Sequence, residues 1–179
     1  PESKHDPEDS AFDVERATEM LHRSGYHDHA LKLANRAGAH ELYINIQLNR
    51  EEPNYDDALE YISGLEPQQG LTFLKRHGRE LLSFRPTETT GLLMHLCQGL
   101  VNKGGRGRGR PAKETRQGFD EHIEDLLPLF VDHSDELLLF LEALRENDVE
   151  NGAKVPAVIG NPLLELYLAR WEQSSKAEA

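Results

Sequence analysis

Apolar residues along this chain return every three or four positions, the period of a helix with one buried face, and no pair of alternating stretches reads as strands. Val14, Ala17 and Leu21 predict a first helix over about Ser10 to Arg23, stopped at Ser24-Gly25. Ala30, Leu33, Ala34 and Ala37 predict a second from Tyr26 to about Arg36, with Gly38 as the left-handed residue that closes it. A third, Glu41 to Arg50, carries Leu42 and Ile46 and ends at Glu52-Pro53. Asn54 caps a fourth: its side chain accepts from the amide three residues on, and Asp57 reciprocates. Pro67 and Pro86 sit where a first helical turn tolerates proline, opening a fifth segment up to His77-Gly78 and a sixth to Val101. Three more follow, over Glu121 to Val131, Ser134 to Arg145 and Asn161 to about Gln173.

Two of these helices open alike. Tyr26-His-Asp-His-Ala30-Leu31 is echoed by Tyr55-Asp-Asp-Ala58-Leu59 about 28 residues on, inside the range of helical repeats. Such units cannot bury their apolar faces alone and stack on their neighbours, so the expected fold is an all-α solenoid of antiparallel helical hairpins joined by short turns. The packing face is expected to use Tyr55, Ala58 and Leu59 in the fourth helix, Leu93 and Leu96 in the sixth, and Leu164, Leu168 and Trp171 in the last. The whole of 1–179 reads as one solenoid segment, and Pro1 in place of an initiator methionine points to a piece of a longer chain.

Composition adjusts this picture in two ways. With 179 residues, 37% apolar, 29% charged and a formal charge of -12, the chain as a whole repels nucleic acid and anionic lipid. Its single cysteine, Cys97, excludes a disulfide framework or a cysteine-rich zinc module and suits a reducing compartment. No apolar run approaches the roughly 20 residues of a membrane-spanning helix.

Longer stretches resemble a known family. Ala39-His-Glu-Leu-Tyr-Ile-Asn-Ile-Gln-Leu48 and Asn54-Tyr-Asp-Asp-Ala-Leu-Glu-Tyr-Ile62 are similar to the clathrin heavy chain repeat of the class C vacuolar protein sorting core. Lys75-Arg-His-Gly78, Pro86-Thr-Glu-Thr-Thr-Gly-Leu-Leu93, Leu96-Cys97, Glu124-Asp-Leu-Leu-Pro-Leu-Phe130 and Leu163-Leu-Glu-Leu-Tyr-Leu-Ala-Arg-Trp171 follow in the same order. The resemblance implies a middle slice of an elongated protein with a β-propeller before it and a zinc-binding RING after it. It also implies a non-catalytic scaffold for the HOPS and CORVET tethering complexes, with their other subunits as partners. The expected place is cytoplasmic, peripheral on the cytosolic face of the late endosome or vacuole. One cysteine cannot build the RING, so chemistry tied to that module does not carry over.

Residues 102–117 depart from the family pattern. Six basic residues stand against one acid there, a local charge of +5 that leaves -17 for the rest. Alternating glycine denies this stretch a helix or a core, so it is expected as a disordered insertion. Arg108-Gly-Arg110-Pro111 also matches the core of an AT-hook, in which arginines enter the A·T minor groove. Arg106, Arg108 and Arg110 are thus candidates for nucleic-acid or anionic-lipid binding.

The remaining chemistry reads as structural. His22, His27 and His29 straddle the Ser24-Gly25 break without the spacing of a zinc site, and solvent-facing histidine is expected. His95 is expected at the edge of the core, and Cys97 as a small buried hydrophobe. Glu51-Glu52, Asp56-Asp57, Glu124-Asp125 and Asp135-Glu136 sit at or near helix starts, where the dipole favours acids. No cofactor, metal or small-molecule substrate is expected, and no enzyme.

Overall fold

The computed structural model describes the backbone of residues 7–104, 112–150, 152 and 154–177, and the side chains of 14–100, 119–150, 152 and 154–176. Among the described residues there is helix and no strand. The elements are α1 (Pro7–Arg23), α2 (His27–Arg36), α3 (His40–Leu48), α4 (Tyr55–Ser63), α5 (Pro67–Phe84), α6 (Pro86–Gly104) and α7 (Ala112–Leu126). A 3-10 turn (Leu127–Phe130), α8 (Ser134–Glu150) and α9 (Ala157–Ala177) complete them. The chain divides into two compact units, Pro1–Tyr61 and Ile62–Ala179.

In the first unit, glycines close the helices as the pattern requires. Gly25 has φ +80°, its N–H reaches the His22 carbonyl at 3.0 Å, and Tyr26 N–H reaches Leu21 O at 2.9 Å. Gly38 repeats the arrangement at φ +68°, with Gly38 N–H to Asn35 O at 3.1 Å and Ala39 N–H to Ala34 O at 2.9 Å. Both are Schellman endings, in which a residue without Cβ satisfies the last carbonyls of a helix. These turns lay α1 on α2 and α2 on α3, around Ala30, Leu31 and Ile46 with Leu21 and Tyr43 packed against them. At the start of α4 the Asp57 N–H donates to Asn54 Oδ1 at 3.2 Å, and Asn54 Nδ2 donates to Asp57 Oδ2 at 2.7 Å. Gln47, buried on α3, donates to the same carboxylate at 3.3 Å.

The second unit is built by α5 on α6, α6 on α7 and α8, and α8 on α9. Its core holds Leu71, Leu74, Leu81 and Leu82 of α5, Leu93 and Leu96 of α6, and Ile123 and Leu126 of α7. Phe130 stacks on Phe140 of α8 with ring centroids 5.3 Å apart. Helix α5 does not stop at Gly78 but runs on to Phe84, because Gly78 is a contact point: a Cβ there would lie 3.0 Å from Leu129 Cδ1. Gly70 serves likewise against Leu96, at 2.9 Å. Helix α7 begins at Ala112 instead of 121, since Ala112, Lys113, Glu114 and Arg116 are good helix formers. With α6 reaching Gly104, the expected 102–117 insertion is helical at both ends. Pro128 turns the end of the seventh segment into 3-10 helix, and α9 starts four residues early with Pro162 inside it.

Candidate interaction surfaces

Two of the candidate packing clusters lie in the interior. Ala58 and Leu59 are buried and Tyr55 is half-buried, while Leu93 and Leu96 are 0% and 1% exposed. The third cluster is a correction. Leu164, Leu168 and Trp171 are 59%, 52% and 68% exposed, and Ile159 and Leu163 are the buried residues of α9. The apolar arc of α9 is wider than its contact with α7 and α8, so the neighbours take one edge and leave the other to solvent. Arg106, Arg108 and Arg110 lie outside the described residues.

The histidines are less bland than their spacing implies. The Gly25 turn brings His22 Nδ1 within 2.9 Å of His27 Nδ1, with the rings edge-on at 4.8 Å. One ring donates to the other. Burial, then the charges of His27, Arg50 and Arg23, hold His22 below its ordinary pKa. In the same unit His40 Nδ1 meets the Tyr61 hydroxyl at 2.8 Å, and Tyr61 stacks on Tyr43 with centroids 3.8 Å apart. His95 points to solvent, one step off the Leu92–Leu96 seam. Cys97 is fully buried, and burial pushes its thiol up to about 12, which removes the thiolate that reactivity needs.

Sequence reading missed a cross-brace in the second unit. Lys75 on α5 donates to Asp125 Oδ2 at 2.7 Å and to His122 Nδ1 at 3.0 Å, both on α7. The hydrogen bond from Lys75 and its charge pull the Asp125 carboxyl down, while burial and Lys75 together pull His122 down. Partners 47 and 50 residues apart leave no local signal in a sequence.

A cavity of about 220 Å³ lies between α1 and α3, lined by Thr18, His22, Leu42, Asn45, Ile46 and Asn49 among others. Cofactor and drug-sized sites usually run about 300–1,000 Å³, so this is the size of a side chain, not of a cofactor. Among the described residues no group of three or more His, Cys, Asp or Glu could hold a metal ion, and no helix is long and apolar enough to cross a membrane.

What the helical pattern leaves open, comparison decides. Residues 4–179 match the model of the PEP5/VPS11 clathrin repeat family. The chain belongs to this family. It is 35% identical over 167 residues to the vacuolar protein-sorting-associated protein 11 homolog of Arabidopsis thaliana, covering 89% of this chain and 16% of that protein. The Mus musculus homolog is 37% identical over 169 residues, 94% of this chain and 17% of its own length. The Dictyostelium discoideum homolog is 42% identical over 91 residues, 50% of this chain and 9% of its own. The chain thus spans about a sixth of the first two relatives. No solved structure matches. Family membership and the all-helical hairpins agree on an α-solenoid of clathrin-repeat type.

Proposed function

We propose that this chain is a non-catalytic protein-interaction scaffold within an endosomal or vacuolar membrane-tethering complex. The observation that carries the reading is membership of the PEP5/VPS11 clathrin repeat family over almost the whole chain, alongside relatives named for vacuolar protein sorting. Stacked hairpins suit the role, since each unit buries its face on its neighbours and leaves long helix flanks for docking. The partners we assign are the other class C, HOPS and CORVET subunits. The place we assign is the cytosolic face of the late endosome or vacuole, reached through the complex.

The test is a pull-down of the immobilised chain against each of those subunits, beside a copy lacking residues 102–117. Capture of one subunit by both copies is the expected result and makes 102–117 a passive insertion. Capture by neither would sink the scaffold reading for this slice. Loss of capture with the deletion, together with steeply salt-dependent binding to DNA or to anionic vesicles, would move function to the arginine-rich stretch.

A further inference from the structure

The apolar residues that α9 leaves in solvent form an ordered surface. At 3.6 residues per turn, Leu164, Leu168 and Trp171 fall within an arc of roughly 60°, and roughly 80–180° around the helix from buried Ile159 and Leu163. Tyr167 lies beside them and donates its hydroxyl to Glu142 of α8. That bond pins the register of the pair. The short connection between α8 and α9 makes them antiparallel, so one turn back on α8 and one turn on along α9 bring exposed Leu139 level with Trp171.

The charges beside this stripe are mostly acidic, with Arg145 on the α8 side and Lys176 on the far edge as the bases. Glu142 and Glu146 edge it on the α8 side, where both act on Tyr167 electrostatically. Glu165 and Glu172 sit one position beyond Leu164 and Trp171, which places them along the far edge. Arg145 is the base among Tyr167's charged neighbours, and Arg170 falls on the arc of Leu163. An apolar lane with acids on both sides is complementary to one kind of ligand.

We propose that the α8–α9 flank, with Leu164, Leu168 and Trp171 as its floor, is a docking lane for a basic amphipathic helix of a partner polypeptide. Contacts repeating at helical spacing fit the i, i+3, i+4, i+7 face of a helix. Lysines or arginines beside that face would pair with Glu142, Glu146, Glu165 and Glu172. The assignment goes beyond the scaffold reading and stands or falls without it.

Trp171 is the chain's single tryptophan, so its fluorescence reports the lane directly. The probe is an 18-residue helical peptide of leucine and lysine with leucine at i, i+3, i+4 and i+7, and the control is its leucine–glutamate counterpart. The expected result is a saturable blue shift with the lysine peptide and none with the glutamate peptide. Affinity should fall about tenfold in Leu168→Glu and in the Glu165→Gln, Glu172→Gln double variant, and with salt that screens exposed charge. It should be unmoved by Glu15→Gln. Leu168 is half-exposed, so Leu168→Glu should keep the helical content and thermal midpoint, and binding lost with the fold intact is a surface effect.

Four outcomes overturn the proposal. One is the same response to both peptides, or to neither. Another is dimerisation in light scattering that Leu168→Glu abolishes, which assigns the lane to a second copy. A shift on phosphatidylserine vesicles assigns it to a membrane. Loss of the response in a longer natural polypeptide carrying these residues assigns it to neighbouring chain.

Discussion

Helices α6 and α9 carry almost the same sequence pattern and meet opposite fates. Leu93 and Leu96 in α6, and Leu164, Leu168 and Trp171 in α9, all recur at three- and four-residue steps. The first pair is sealed in the core, and the second set is more than half exposed. Periodicity records that a helix has an apolar face, but not whether a neighbour covers it. α6 is flanked by α5, α7 and α8, whereas α9 is touched by α7 and α8 and buries Ile159 and Leu163.

The comparison breaks most sharply with one substitution on each side. Leu93→Asp puts an unpaired charge where exposure is 0%, and should cost at least about 4 kcal/mol, enough to unfold its unit. Leu168→Asp should move stability by no more than about 0.5 kcal/mol. Urea unfolding followed by circular dichroism reads both, and equal losses would mean that α9 is covered.

Glycines sharpen the same contrast at smaller scale. Gly70→Val forces atoms onto Leu96, where a Cβ already comes to 2.9 Å, and should cost about 1–3 kcal/mol. Gly91→Ala meets nothing within 4 Å and should stabilise by about 0.5–1 kcal/mol through helix propensity. A thermal melt distinguishes them by sign.

Protonation probes the two units separately. His22 in the first unit and His122 in the second are both held below the ordinary value of 6.5. A depressed folded pKa means that the unfolded chain takes up protons first, so this stability is complete above 6.5 and lost as pH falls from there through each folded value. Asp125, also depressed, loses its share only further down, below the ordinary carboxylate value of 3.8. Urea midpoints should therefore decline between pH 7 and pH 5, and His22→Gln and His122→Gln should each flatten part of the slope. The smallest effect is Tyr167→Phe, which removes the exposed bond to Glu142 and should cost about 0.5 kcal/mol or less.

Much of the architecture was legible in the chain. The Asn54–Asp57 cap, the Gly25 and Gly38 closures and the proline starts of α5 and α6 rest on residues within a turn of one another, so a linear reading captures them. Gly78 was misread as a stop because glycine signals both a helix end and a close contact, and only Leu129, 51 positions away, tells which. The Lys75–Asp125 brace was missed for the same reason, whereas the His22–His27 pair was missed because the Gly25 turn, not helical spacing, brings the two rings together. The Gly78 contact and the brace depend on which helix lands beside which.

The sequence by itself determined that this protein is a run of amphipathic helices and that it is a member of a clathrin-repeat family. Those properties follow from residue spacing and from collinear similarity. Tertiary structure alone decided which apolar faces are core and which are surface, because burial belongs to a pair of helices and not to one. An exposed Leu168 and a buried Leu96 differ only in what stands opposite them.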